Sequence, residues 1–127
     1  MERKVIHSSG APSSPLYSQG VKAGNLLFLS GFVGMNPETK KLAGETIVEQ
    51  TRQAIRNCES VLNSAGAGLG DVVQVIALLS EPADFDGMNQ EYAKFFPNDP
   101  PARMVAKLGV VLPQVKVSLA MTAVLSD

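Results

Sequence analysis

The chain has 127 residues and a mass of 13.4 kDa, which is the size of one domain, so we expect residues 1–127 to form a single unit. Hydrophobic residues make up 45% and charged residues 18%, a balance that excludes an intrinsically disordered chain. The formal net charge of −1 disfavours nucleic-acid binding, which normally requires an excess of basic residues.

Reactive side chains are scarce. The single cysteine, Cys58, excludes an intramolecular disulfide, and one cysteine with one histidine, His7, argues against a transition-metal site. Apolar runs stay well short of the roughly 20 residues that a membrane helix needs, and the charged N-terminus has no apolar segment behind it. We therefore expect a cytoplasmic protein with no cofactor and no membrane partner, and an organellar location stays open.

The first part of the chain has the pattern of short strands and turns. Residues 3–7 predict a strand, and residues 18–22 and 26–30 predict a β-hairpin because two extended runs flank a short Gly-Asn turn. Residues 36–39 predict a further turn.

The first helix has clear boundaries. Thr46 and Glu49 match a capping box, and Gly66 has the position of a residue that ends a helix in the left-handed conformation. Between them, apolar residues recur at helical spacing: Val48, Ile55, Cys58, Leu62 and Ala65. This stripe makes Cys58 a core side chain rather than a reactive thiol.

The second part of the chain alternates strands and a helix. Residues 72–79 are nearly all apolar and predict a central strand buried on both faces. Asp84 is the predicted N-cap of a second helix that ends before Pro97, and its apolar residues at helical spacing predict packing: Phe85, Met88, Tyr92, Phe95 and Phe96. Residues 102–108 and 115–123 predict two more strands, and alternation in the last strand puts four residues on one face: Lys116, Ser118, Ala120 and Thr122.

This order of elements predicts an α+β fold. We expect a two-layer sandwich in which two helices cover one face of a six-stranded mixed sheet. A sheet face without helices needs another partner, so the pattern also favours an oligomer.

Arg103 is the residue whose position calls most for a function. It begins a strand directly after a Pro-rich loop, and a guanidinium is well shaped to bind a carboxylate through two parallel hydrogen bonds. An ion pair at a subunit interface explains an arginine at this position equally well. The hydroxyls of Tyr17 and Ser30 near the hairpin either line a site or cap turns.

Several short motifs occur in the order and at the spacing typical of the RidA/YjgF family, also labelled endoribonuclease L-PSP or translation inhibitor. The chain resembles this family from about Tyr17 to its C-terminus in these segments: Tyr17-Ser18-Gln19-Gly20-Val21, residues 24–31, residues 36–39, residues 50–57, Ala65-Gly66, residues 71–73, Asp84-Phe85, Asn89-Gln90-Glu91-Tyr92, Phe95-Phe96 and Pro101-Ala102-Arg103.

The resemblance implies a chorismate-mutase-like fold that assembles as a homotrimer with clefts between neighbouring subunits. It also implies a hydrolytic deaminase, which converts 2-iminobutanoate and 2-iminopropanoate to 2-oxo acids and ammonia without a metal or a cofactor. The partner is then a small 2-imino or 2-oxo acid bound at the subunit interfaces.

The resemblance also assigns roles to residues. Arg103 matches the arginine that binds the substrate carboxylate, and Tyr17 matches a tyrosine that closes the pocket, so both are catalytic candidates. Five further positions match the substrate-binding cleft: Ser30, Gly31, Asn89, Val105 and Ser118.

The last strand departs from the family pattern. Family deaminases carry a glutamate that orients the attacking water, and an ungapped alignment puts Ala120 there, with Ser118 at the preceding acidic position. Two functions therefore stay open: a deaminase in which Ser118 or a backbone carbonyl takes over this role, and a non-catalytic or chaperone-like protein that binds small carboxylates. Ribonuclease activity is disfavoured by the net charge of −1 and the single histidine.

Overall fold

The computed structural model describes residues 2–126, which form one sheet of seven strands and two α-helices. The strands are β1 Arg3–Ile6, β2 Gly20–Ala23, β3 Leu26–Leu29, β4 Phe32–Val33, β5 Val72–Leu79, β6 Ala102–Lys107 and β7 Val117–Val124. The helices are α1 Ile47–Ser64 and α2 Phe85–Phe95, and 3-10 turns at Leu69–Asp71 and Pro82–Asp84 precede β5 and α2. Within residues 2–126, neither helix is long and apolar enough to cross a membrane.

The sheet has the strand order β1-β2-β3-β7-β5-β6, and the two-residue β4 pairs beside β7. Only β5 and β6 run parallel to each other; the other pairs are antiparallel. Both helices pack on one face, which confirms the predicted α+β sandwich with a mixed sheet. The sequence missed β4 because two residues are too few to show a strand period.

Helix α1 begins and ends as predicted. The Thr46 hydroxyl accepts a hydrogen bond of 3.1 Å from the Glu49 amide, and the Glu49 carboxylate accepts one of 3.3 Å from the Thr46 amide. The Thr46 hydroxyl also donates a hydrogen bond of 2.8 Å to the Glu49 carboxylate, and this bond, together with the one from the Thr46 amide, holds the pKa of Glu49 below its ordinary value. Gly66 has a φ of 82°, and Cys58 is fully buried in the core between α1 and the sheet.

The prediction that β5 is buried on both faces is wrong for the single chain. Val75 and Ala77 face the helices and are fully buried. Val73 is 46% exposed, and the next residue, Gln74, is exposed as well. An apolar run without alternation indicates that two layers cover a strand, and this chain supplies only one of them. The described residues leave the other face of β5 uncovered.

The predicted N-cap of α2 is correct in position but not in function. Asp84 directly precedes the helix, yet its side chain makes no capping hydrogen bond. Its carboxylate instead lies 3.9 Å from the Lys116 ammonium, across the turn that Pro82–Asp84 forms. The backbone already turns in the 3-10 segment that ends at Asp84, and the Asp84 carboxylate therefore makes no bond to the free amides at the start of α2.

Seven strand boundaries differ from the prediction by one or two residues, and three of them are described here. Strand β7 begins at Val117 rather than 115, because the Lys116 amide donates to the buried side chain of Gln50 at 2.8 Å. Strand β2 begins at Gly20 rather than 18, where the Ser18 carbonyl accepts from the Ser30 hydroxyl. Strand β6 ends at Lys107, one residue before the predicted end.

Candidate functional site

Arg103 lies on the edge strand β6 with its side chain under helix α2. It is in register with fully buried Val75 of β5, so both side chains lie on the helix-covered face of the sheet. The Arg103 Cζ atom is 4.8 Å from the ring centroid of Tyr92 and 6.0 Å from that of Phe85. The Arg103 Nη1 atom donates a hydrogen bond of 2.8 Å to the Asn89 side-chain oxygen. We call Arg103, Tyr92, Phe85 and Asn89 the arginine cluster.

This geometry fixes the guanidinium and leaves most of its donors free. The ring stack and the Asn89 bond use one face and one of the five N–H groups. Arg103 also lines a cleft of about 370 Å³ together with Asn89, Tyr92, Ala93, Phe96, Pro100 and Pro101. Within residues 2–126, no carboxylate forms an ion pair with Arg103, so the chain leaves this charge available to an anion.

Tyr92 belongs to the arginine cluster, although its place in the helical pattern predicted packing alone. Its side chain is 7% exposed, its ring is 4.7 Å from that of Phe96, and its other neighbour is the Arg103 guanidinium. Burial raises the pKa of the Tyr92 phenol, which therefore stays neutral near Arg103. The spacing of three residues between Asn89 and Tyr92 places both on one face of α2 and is the signal that identifies this pair.

A buried ion pair holds α2 against α1 behind this cluster. The Glu91 carboxylate accepts a hydrogen bond of 2.8 Å from Arg52 and lies 3.0 Å from the Lys94 ammonium. The hydrogen bond from Arg52 holds the pKa of Glu91 below its ordinary value, although burial opposes this shift. Glu91 therefore stays charged and fixes the helix that carries Asn89 and Tyr92.

A second group of candidate residues lies around the start of β4. The Ser30 hydroxyl donates a hydrogen bond of 2.6 Å to the Ser18 carbonyl, next to Tyr17, whose side chain is 43% exposed. A Cβ atom at Gly31 would lie 3.1 Å from the Ser118 hydroxyl, so a side chain there would crowd that serine. We call Tyr17, Ser30, Gly31 and Ser118 the hairpin cluster.

Ser118 and Ala120, the two residues at which the last strand departs from the family pattern, occupy different positions along β7. Ser118 pairs with Val33 and lies next to Gly31, whereas Ala120 is two residues farther along β7, opposite Ile76. Both side chains lie on the face of the sheet that the helices leave uncovered, here called the open face, as the alternation predicted.

The two clusters do not meet within one chain. Ser118 is in register with Leu78, and Leu78 with Ala106 of β6, so two strand spacings, about 10 Å, separate β7 from β6. Arg103 moreover lies on the helix-covered face and Ser118 on the open face. Val105 shares the face of Arg103 and is half-buried. Within residues 2–126 the arginine cluster and the hairpin cluster are thus separate.

His7 and Cys58 belong to neither cluster. His7 is exposed directly after β1, and burial raises the pKa of the Cys58 thiol, which keeps it protonated. Among residues 2–126, no three His, Cys, Asp or Glu side chains lie close enough together to hold a metal ion.

Comparison with known proteins identifies the group to which this architecture belongs. The family model described as Endoribonuclease L-PSP matches residues 9–125. The chain belongs to this family, the RidA/YjgF family. The E. coli YjgF gene product superposes with a TM-score of 0.89 at 30% identity, over 95% of this chain and 98% of that one.

Two relatives carry names that state an activity. Reactive Intermediate Deaminase A, chloroplastic, of Arabidopsis thaliana is 36% identical over 126 residues, which are 98% of this chain and 67% of that protein. The 2-iminobutanoate/2-iminopropanoate deaminase of Mus musculus is 35% identical over 102 residues, which are 80% of this chain and 76% of that protein. Deamination is thus an activity represented among RidA/YjgF relatives of this chain.

Proposed function

We propose that this RidA/YjgF protein hydrolyses small 2-imino acids, with 2-iminobutanoate and 2-iminopropanoate as substrates, to 2-oxo acids and ammonia. The observation that carries the proposal is the Arg103 guanidinium, which is held by Asn89 and Tyr92 and forms no ion pair with a carboxylate of residues 2–126. The names of the Arabidopsis and mouse relatives support the reaction type.

The reaction needs an anion anchor and a placed water rather than a nucleophilic side chain. Arg103 binds the substrate carboxylate through two parallel N–H groups and thereby fixes the adjacent C=N carbon. Water adds to the carbon of the protonated imine, the C–N bond breaks, and the oxygen becomes the 2-oxo group. The nitrogen leaves with four hydrogens as ammonium, two of its own and two from the water.

The hairpin cluster of a neighbouring subunit completes the cleft in this proposal. The open face of the sheet carries exposed or half-buried apolar side chains, and among them Phe28 is 46% and Met104 54% exposed. Burying this face between copies of the chain stabilises an assembly, for which we propose a cyclic homotrimer. Such packing brings Tyr17, Ser30, Gly31 and Ser118 of one subunit to the β6 edge of the next.

A second candidate function is binding of small carboxylates without deamination. The specific observation in its favour is the last strand, where Ser118 and Ala120 present no carboxylate on the open face to orient water. A serine hydroxyl positions water but is a weak general base, and general-base catalysis typically contributes about 10²–10⁴-fold. Arg103 and the cleft serve both functions equally.

The experiment couples a threonine dehydratase, which releases the imine, to its trapping by semicarbazide. We expect the wild-type protein at micromolar concentration to lower semicarbazone formation and Arg103→Ala to have no effect. If the wild type leaves semicarbazone formation unchanged while it binds 2-oxobutanoate in a calorimeter, the binding function replaces the deaminase. Unchanged calorimetric binding in folded Arg103→Ala removes Arg103 from both functions.

A further inference from the structure

A second, apolar cleft lies near Arg103, which does not itself line it. It has a volume of about 380 Å³ and lies between the end of β5, the turn before α2 and the second half of β6. Its lining is apolar except for one ammonium at its far end: Leu79, Pro82, Phe85, Val105, Ala106 and Lys107.

Two residues connect this cleft directly to the arginine cluster. The Phe85 ring lines the cleft, and its centroid is 6.0 Å from the Arg103 Cζ atom. Val105 also lines the cleft and follows Arg103 by two residues on the same face of β6, a distance of about 7 Å. An anion on Arg103 therefore has an apolar wall within reach of the atoms that follow its carboxylate.

The cleft next to Tyr92 offers a different environment. It contains the Asn89 side chain and the Arg103 guanidinium themselves, and two prolines close it. An aliphatic group placed there competes with polar atoms for the same space. The two clefts thus divide the surroundings of Arg103 into a side with polar groups and an apolar side.

We propose that the apolar cleft receives the side chain of the 2-imino or 2-oxo acid whose carboxylate binds Arg103. It thereby favours acids with branched aliphatic side chains over those with a methyl or ethyl group. This inference rests on the proposed function, because it requires Arg103 to anchor the carboxylate. The physical basis is the transfer of additional methyl and methylene groups from water to an apolar wall.

The experiment uses stable 2-oxo acids and the purified wild-type oligomer. Calorimetry compares 2-oxobutanoate with 4-methyl-2-oxopentanoate, which has the same carboxylate and a longer, branched side chain. We expect the branched acid to bind about tenfold more tightly. Equal affinity, or tighter binding of 2-oxobutanoate, overturns the proposal.

A matched pair of variants tests which cleft receives the side chain. Val105→Phe fills the apolar cleft, and Ala93→Phe adds the same ring to the cleft beside Tyr92 from an exposed position on α2. We expect Val105→Phe to abolish the tenfold preference and Ala93→Phe to retain it. The reverse pattern assigns the side chain to the other cleft and overturns the proposal.

A smaller substitution at Val105 keeps the proposal testable if Val105→Phe does not fold. If thermal melting shows that Val105→Phe does not fold, Val105→Ala replaces it and is expected to lower the preference for the branched acid about threefold. An undiminished preference in folded Val105→Ala contradicts the proposal.

The failure of this inference and that of the proposed function give different results. If 2-oxobutanoate binds and Arg103→Ala abolishes the binding, but side-chain length has no effect, only the cleft assignment is wrong. If neither acid binds, or if binding survives in Arg103→Ala, the anchor itself is wrong and both proposals fail.

Discussion

The side-chain oxygen of Asn89 accepts a hydrogen bond of 2.8 Å from the Arg103 guanidinium, which ties helix α2 to the edge strand β6. Because Asn89 is neutral, the bond orients the arginine without cancelling its charge. A carboxylate in the same place would occupy the guanidinium and leave less attraction for a bound anion. The arginine cluster therefore orients the positive charge of Arg103 without neutralising it.

Two substitutions of Asn89 distinguish the orientation of the Arg103 guanidinium from the net charge around it. We expect Asn89→Ala to weaken 2-oxobutanoate binding about fivefold, because the guanidinium loses the bond that orients it. Asn89→Asp keeps a bond to Arg103 but adds a negative charge, and we expect a larger loss, about 30-fold or more. Calorimetry on both folded variants measures this order, and tighter binding by Asn89→Asp than by Asn89→Ala contradicts it.

The Tyr92 ring, and not its hydroxyl, supports Arg103. Within the described residues the Tyr92 hydroxyl is buried without a hydrogen-bond partner, so its removal leaves no partner unsatisfied. We expect Tyr92→Phe to change the free energy of unfolding by less than about 1 kcal/mol, whereas Tyr92→Leu removes the cation–π contact. Urea denaturation followed by circular dichroism checks the first variant. A loss of several kcal/mol in Tyr92→Phe would show that the hydroxyl has a structural partner.

A carboxylate at residue 120 should strengthen the reaction if the proposed deamination is correct. Ala120→Glu places a carboxylate at the position that aligns with the water-orienting glutamate of the family, and we expect the rate of imine hydrolysis to rise about 10²-fold. Ser118→Glu is the matched control, because it puts the same charge two residues earlier on the same face of β7, next to Gly31. A larger gain in Ser118→Glu, measured by the semicarbazide assay, would assign the water position to residue 118.

The buried Glu91 makes stability depend on pH. The pKa of its carboxyl is lowered in the folded protein, chiefly by the hydrogen bond from Arg52, so its contribution is present above the ordinary value near 4.5 and is lost as the pH falls through the folded pKa. At pH 7 we expect Glu91→Gln to lower the free energy of unfolding by about 1 kcal/mol, because Arg52 and Lys94 lose their ionic partner and solvent screens both of these partly exposed cations.

Denaturant titrations at several pH values check this expectation. The difference between wild type and Glu91→Gln should shrink as the pH falls below about 4.5. Glu38→Gln, at an exposed position, is the control and should follow the wild type throughout. A difference that stays constant with pH would show that packing, rather than charge, accounts for the effect of Glu91→Gln.

Local signals account for the parts of the fold that the sequence predicted well. The capping box of Thr46 and Glu49, the hairpin turn at Gly24 and the helical stripe through Cys58 all depend on residues close in sequence. The contact between the Asp84 carboxylate and the Lys116 ammonium was missed because the two residues are distant in sequence.

The candidate site shows the same limit. Arg103 and Asn89 were predicted as separate positions, and their contact required the packing of α2 over β6. Tyr92 was assigned to the core alone, because a cation–π contact between distant residues produces no recognisable pattern in the sequence. The apolar run of β5 indicated two covering layers, and the single chain provides one of them. Tertiary contacts therefore decide the features that short patterns leave open.

The proposed cleft between subunits is tested most directly by mixing two disabled proteins. Arg103→Ala lacks the anchor, and Gly31→Phe blocks the hairpin cluster that faces the anchor of the next subunit; each alone should not bind 2-oxobutanoate. In co-expressed, randomly mixed assemblies, about a quarter of the clefts combine an intact Arg103 with an intact Gly31. We predict that calorimetry finds binding at about a quarter of the wild-type stoichiometry, with wild-type affinity. Absence of binding in the mixture, or wild-type binding by Gly31→Phe alone, would contradict a site shared between subunits.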